Sequence, residues 1–122
     1  MDKGSFFRSF RYASSGVAKT FLTGRNFKVM LGCLALVVVF GLLMRISAME
    51  WCVLLICSGV VLALEILNTA IETTIDLIVS GHSKPAGDAK DMAAGAVLTA
   101  SVFAAAVACI VFIPHICAIL NP

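Results

Sequence analysis

The stretch WCVLLICSGVVLALEILNTAIETTID, residues 51–76, decides how this chain folds. Trp51 to Leu64 carries no charge, but it is too short to cross a bilayer, which takes about 20 apolar residues at a rise of roughly 1.5 Å each. The run reaches that length only by taking in Glu65 and Asn68, so polar groups enter the hydrocarbon. A charge at the centre of a bilayer costs from about 2.5 kcal/mol upward, and ionisable residues there face a cavity or a partner. On a helix, Asn68, Glu72 and Asp76 follow Glu65 by three, seven and eleven residues. At about 100° per residue the four fall within an arc of roughly 80°, one column of oxygen ligands descending a single helix face.

The rest of the chain agrees with a membrane setting. Of 122 residues, 61% are hydrophobic and only 13% charged, with a mean hydropathy of +1.04. Such a composition excludes an ordinary soluble domain. Val29 to Met44 forms a first uncharged run, and Met92 to Leu120 a third, interrupted only by Thr99, Ser101, Pro114 and His115. Residues 1–26 are basic, with Phe6, Phe10, Val17 and Phe21 spaced to share one side of a helix, as in an amphipathic helix lying on a membrane surface. No small-residue cleavage site follows the first apolar run, so it reads as retained.

The expected fold is therefore all-α and integral to the membrane, in one domain. It has a surface helix over 1–26 and spans over 27–46, 50–79 and 92–120, the second with a cytoplasmic extension, and a loop over 80–91 broken by Gly81, Pro85 and Gly87. Lys3, Arg8, Arg11, Lys19, Arg25 and Lys28 all precede the first apolar run, while Lys84 and Lys90 lie between the last two. The positive-inside rule puts those segments in the cytoplasm and the C-terminus outside. Cys33, Cys52, Cys57, Cys109 and Cys117 lie in or beside apolar runs without a CxxC pair, which favours space-filling over a disulfide or zinc framework.

Three anions on one face repel each other unless cations are supplied. Mg²⁺, which prefers carboxylates, water and phosphate oxygens, would balance them, and Lys90 in the Ala-Lys-Asp of residues 89–91 is placed to meet phosphate. Carboxylates, an amide, a lysine and a metal at a membrane surface suggest phosphoryl transfer. Spacing alone does not separate a kinase from an ion-coupled transporter, and polar residues also serve as glue between helices. There is no P-loop, kinase Gly-rich loop or HRD motif, so nucleotide chemistry here needs another architecture.

ALEILNTAIETTIDLI followed by AKDMAAGAVL closely resembles the signature of the prokaryotic diacylglycerol kinase family. SFRYA, GRNFK, MEWCVLL and FIP are also similar to it, most of all to the Gram-positive branch whose acceptor is chiefly undecaprenol. The resemblance implies a bacterial plasma (inner) membrane enzyme that phosphorylates a lipid alcohol with MgATP, as a homotrimer with active sites shared between subunits and no nucleic-acid partner. Position by position, it implies that Glu65 is the general base for the lipid hydroxyl, Asn68 an amide that organises the site, and Glu72 a metal ligand. Asp76, Lys90 and Asp91 become nucleotide contacts, and Tyr12 packs near the adenine. One position departs: Gly24 stands where the family pattern has a second metal-coordinating glutamate. That implies an alternative, a catalytically weakened homologue that binds lipid or nucleotide or serves as a partner subunit.

Overall fold

The computed structural model describes residues 2–122 and is helical throughout: α1 Lys3–Thr23, α2 Phe27–Met44, α3 Ala48–Ile78 and α4 Lys84–Leu120, with no strand among the described residues. Helices α2, α3 and α4 are each long and apolar enough to cross a membrane. Their lengths differ in a useful way. At 1.5 Å per residue, the 18 residues of α2 cover about 27 Å, roughly the hydrocarbon thickness. The 31 residues of α3 cover about 46 Å and the 37 of α4 about 55 Å, so both run well beyond it. These two long helices form the main packing interface of the chain, with α2 against α3 the next. Outward apolar side chains such as Val29, Leu36, Leu55 and Ile110 are exposed on the chain, as lipid-facing residues should be.

The hinge between α3 and α4 is shorter than the expected loop over 80–91, because α4 already begins at Lys84. Ser83 caps it, its hydroxyl accepting from the Ala86 N–H at 3.4 Å. Pro85 falls in the first turn, where its missing N–H costs nothing and its fixed φ suits a helix. Lys84 and Asp88 pair at 3.1 Å one turn apart. Pro85 and Gly87 therefore lie inside the helix they were expected to break. Within this hinge, among the described residues, Gly81 alone, at φ +82, takes the left-handed conformation that turns the chain. Lys90 and Asp91 consequently stand in the second turn of α4, not in a loop.

The opposite turn, between α2 and α3, is closely built. Arg45 adopts a left-handed φ of 52, and the Ile46 N–H donates to the Gly41 carbonyl at 3.2 Å. Ser47 and Glu50 form a reciprocal capping box that starts α3. Glu50 also meets His115 of α4, whose Nε2 lies 3.0 and 3.3 Å from the two carboxylate oxygens. Ile46, Leu54 and Val111 form the buried cluster beside this clasp, with Trp51 and Val107 packed on it.

Trp51 reads from sequence as an interfacial belt residue, and the fold gives it a second task. Its ring covers Gly41, where an added Cβ would come within 2.7 Å of Cζ2 and 2.5 Å of Cη2. Gly41→Ala should therefore destabilise the chain by about 1–3 kcal/mol through overpacking. Replacing Trp51 by Phe in the same background should restore part of it, as read by unfolding titrations in detergent micelles.

Candidate functional site

The polar column of α3 is sorted by depth. Glu65 is 3% exposed and Asn68 7%, and both belong to the helix's buried face with Leu54 and Val61. One and two turns further on, Glu72 is half-buried and Asp76 is exposed. The threonines between them spend their hydroxyls on the helix itself: Thr69 donates to the Glu65 carbonyl at 3.0 Å, Thr73 to Thr69 at 2.8 Å and Thr74 to Ala70 at 2.7 Å. They are not available to the carboxylates.

Glu65 Oε2 and Asn68 Oδ1 are buried and have no hydrogen-bond partner among the described residues. An unsatisfied buried polar group costs about 1–3 kcal/mol, and more when charged. Two such oxygens on one face of a membrane helix are free to receive a cation or a hydrogen-bond donor. At the exposed end of the column, Lys90 Nζ contacts Asp76 Oδ1 across the α3–α4 hinge. The cation expected to meet phosphate is thus already held beside the column by the antiparallel packing of the two helices. Asp91 is exposed on the adjacent position of α4.

Among the described residues, no three His, Cys, Asp or Glu side chains converge as a complete metal-binding set. The donors present suit a hard divalent cation that takes one or two carboxylates and fills its remaining positions with phosphate oxygens and water. Glu72, a single half-buried carboxylate, fits that pattern; a full protein cage does not.

Tyr12 is 67% exposed on α1, with the Arg11 guanidinium carbon 6.0 Å from its ring centre. Gly24 closes α1 in a tight turn, its N–H donating to the Thr20 carbonyl at 2.7 Å. A Cβ built there would lie 2.7 Å from the same carbonyl oxygen and 3.3 Å from Phe27 Cβ. So the turn lacks not only a carboxylate but the room for a side chain unless its backbone moves. Thr20 and Phe27, which flank the glycine, are buried at 5% and 4% exposure. The sequence signals the burial of Thr20 only through its spacing one turn before Gly24.

Residues 11–112 match the model of the family described as prokaryotic diacylglycerol kinase. The chain belongs to that family. By this membership it is a membrane lipid kinase that uses ATP in a metal-dependent reaction. It is 39% identical to the undecaprenol kinase of Bacillus subtilis, over 91% of this chain and 90% of that protein. It is 38% identical to the diacylglycerol kinase of Synechocystis sp., over 92% of this chain and 65% of the relative. The diacylglycerol kinase of Escherichia coli K12 is 31% identical over 85% of each. Every candidate residue from Tyr12 to Asp91 lies inside the matched region.

The Lys90–Asp76 pair is exposed, at 36% and 65% of the two side chains, so its own contribution to stability is only about 0–1 kcal/mol. Lys90→Met should leave the thermal midpoint in detergent nearly unchanged. A fall in phosphate transfer in that same preparation then reports chemistry and not folding.

Proposed function

We propose that the protein transfers the γ-phosphate of MgATP to the hydroxyl of a long-chain lipid alcohol, undecaprenol before diacylglycerol, at the cytoplasmic face of a bacterial plasma membrane. The observation that carries this reading is the buried, unpartnered pair of Glu65 Oε2 and Asn68 Oδ1 inside a spanning helix. In this mechanism Glu65 takes the hydroxyl proton as the alcohol oxygen attacks the γ-phosphorus. The bond from that phosphorus to the β–γ bridging oxygen breaks, and ADP departs. Asn68, next on the same face, holds the hydroxyl or the incoming phosphate by its amide.

Glu72 is the carboxylate that would hold Mg²⁺. When bound, Mg²⁺ supplies positive charge to phosphate oxygens and offsets the charge developing on them. Lys90 serves the nucleotide phosphates, and Asp76 keeps it beside the column until they arrive. Asp91 and Tyr12 are further nucleotide contacts. Tyr12 reaches the adenine in a homotrimer whose active sites are shared between subunits, an arrangement supported by its exposure on the isolated chain. Six basic residues ahead of the first apolar run support a cytoplasmic N-terminus, and three spans then put the C-terminus outside.

Choice of acceptor rests on the Bacillus relative, whose match covers nine-tenths of both chains. Radiolabelled phosphate transfer in mixed micelles should be faster to undecaprenol than to diacylglycerol. Glu65→Gln should lower it by roughly 10²–10⁴-fold, the usual worth of a positioned general base. Transfer that survives in that variant removes Glu65 from the proton-accepting role.

Gly24 favours a second reading, a homologue with weakened catalysis. A glutamate there has to displace the Thr20–Gly24 turn, so Gly24→Ala is the control that isolates this steric cost. For an enzyme built around glycine, Gly24→Glu should be no more active than Gly24→Ala. A Gly24→Glu protein well above wild type would establish the weakened homologue instead.

A further inference from the structure

Helix α1 carries Lys3, Arg8, Arg11 and Lys19 and no acidic residue. Among the described residues, none of these cations has an ion-pair partner. They are not spread evenly around the helix. At about 100° per residue, Phe6, Phe10, Val17 and Phe21 share an arc of roughly 60°, while Arg8, Tyr12 and Lys19 share another of roughly 40° whose centre lies about 170° away. Arg11 flanks the second arc, its guanidinium carbon 6.0 Å from the Tyr12 ring centre. Thr20, the buried residue of α1, falls between the two arcs and marks the side on which the helix packs against α2 and α3.

This geometry separates two kinds of anion. An amphipathic helix meets a bilayer through its apolar face, so Arg8 and Lys19 point away from the phospholipid phosphates. An anion that meets them arrives from water. The chain's other polar wall shows why one is needed there. Glu65, Glu72, Asp76 and Asp91 present four carboxylates around one lysine, Lys90, which Asp76 already holds. A nucleoside triphosphate adds further negative charge to that wall, and a divalent ion bound with it offsets only part. Positive charge supplied from a second side lowers the repulsion and concentrates the nucleotide near the site.

We propose that Arg8 and Lys19, on either side of Tyr12, form a cationic face that receives the polyphosphate of ATP from the aqueous phase and sets the affinity for the nucleotide without entering the transfer step. The proposal rests on the reading of the chain as an ATP-dependent kinase with α1 lying on the membrane surface. Arg8 precedes Tyr12 by four residues and Lys19 follows it by seven. By helical rise the two cations stand about 6 Å and about 10 Å along the helix from the ring. Arg8 offers phosphate oxygens a planar fork of donors, and Lys19 a mobile point charge.

The test uses the full chain in mixed micelles with Arg8→Gln, Lys19→Gln and the double variant. Lys3→Gln is the control, because it removes the same charge from the apolar side of α1. All three side chains are exposed, so thermal midpoints should stay near wild type. The KM for ATP should rise about threefold in each single variant and about tenfold in the double, with kcat and the KM for the lipid alcohol held within about twofold. In about 1 M salt, where the screening length falls to about 3 Å, wild type and double variant should converge. Binding of a fluorescent ATP analogue in micelles without lipid alcohol should weaken by the same factor as the KM. Unchanged KM and binding in the double variant overturn the proposal. So does a Lys3→Gln effect as large as that of Arg8→Gln, which makes net charge and not the face responsible. A double variant that alters only the response to anionic phospholipid assigns the face to lipid and also overturns it. Nucleotide binding that depends on Arg8 and Lys19, in a protein that phosphorylates no alcohol, would keep the face and remove the kinase reading. Normal transfer with an ATP affinity indifferent to both residues would do the reverse.

Discussion

A carboxylate and an amide carried into hydrocarbon must be answered by something, and this chain leaves both without an answer of its own. Glu65 Oε2 and Asn68 Oδ1 are buried and unpartnered, while each nearby threonine hydroxyl is already bonded to its own helix. Folding into a membrane with such groups costs free energy that apolar residues at the same positions would not. The rest of the architecture follows from tolerating that cost. α3 must be longer than the bilayer is thick, so that the column begins buried at Glu65 and ends exposed at Asp76. α4 must be longer still, because Lys90 reaches Asp76 only if α4 is already helical on the polar side of the membrane.

Much of this was legible in the sequence. The three spans and the surface helix follow from apolar runs and their periodicity, and the polar column from a spacing that places four residues on one face. The hinge was less so. Gly and Pro clusters mark breaks in general, but their meaning depends on position. Ser83 ahead of Pro85 is a cap followed by a first-turn proline, which starts a helix instead of ending one. Read that way, the same residues yield a five-residue connection, 79–83, with Gly81 alone doing the turning. The Glu50–His115 clasp was beyond reach, because the two residues are 65 apart in the chain and only the register of α3 against α4 brings them together. The apolar cavity between α2, α3 and α4 was hidden for the same reason. Runs of alanine in α4 suggest close helix packing, and it takes the placement of α2 to show that one stretch of them faces open space.

Gly24 shows how a departure from a family pattern changes meaning once geometry is known. From sequence it is a missing ligand, a subtraction. In the fold it also closes a turn in which the Thr20 carbonyl, the Thr20 methyl and Phe27 leave no room for a Cβ. The surroundings are fitted to glycine, with Thr20 and Phe27 among the most buried residues of the chain. A carboxylate lost from an otherwise unchanged site would have left an open position, which is not what surrounds this residue.

Two carboxylates of α3, Glu50 in its first turn and Glu65 at its middle, show how differently one helix can treat the same group. Glu50 and Glu65 sit on the same helix, and both are partly or wholly withdrawn from solvent. Glu50 accepts from the Ser47 N–H and meets His115, so its charge is fully engaged within the chain and serves to join α3 to α4. Glu65 is the more deeply buried of the two and has no such partners. The chain has the means to satisfy a carboxylate where α3 meets α4, since it does so at the start of α3. Glu65, three turns before the exposed Asp76–Lys90 pair and without a hydrogen-bond partner among the described residues, is the carboxylate of α3 left free for a ligand.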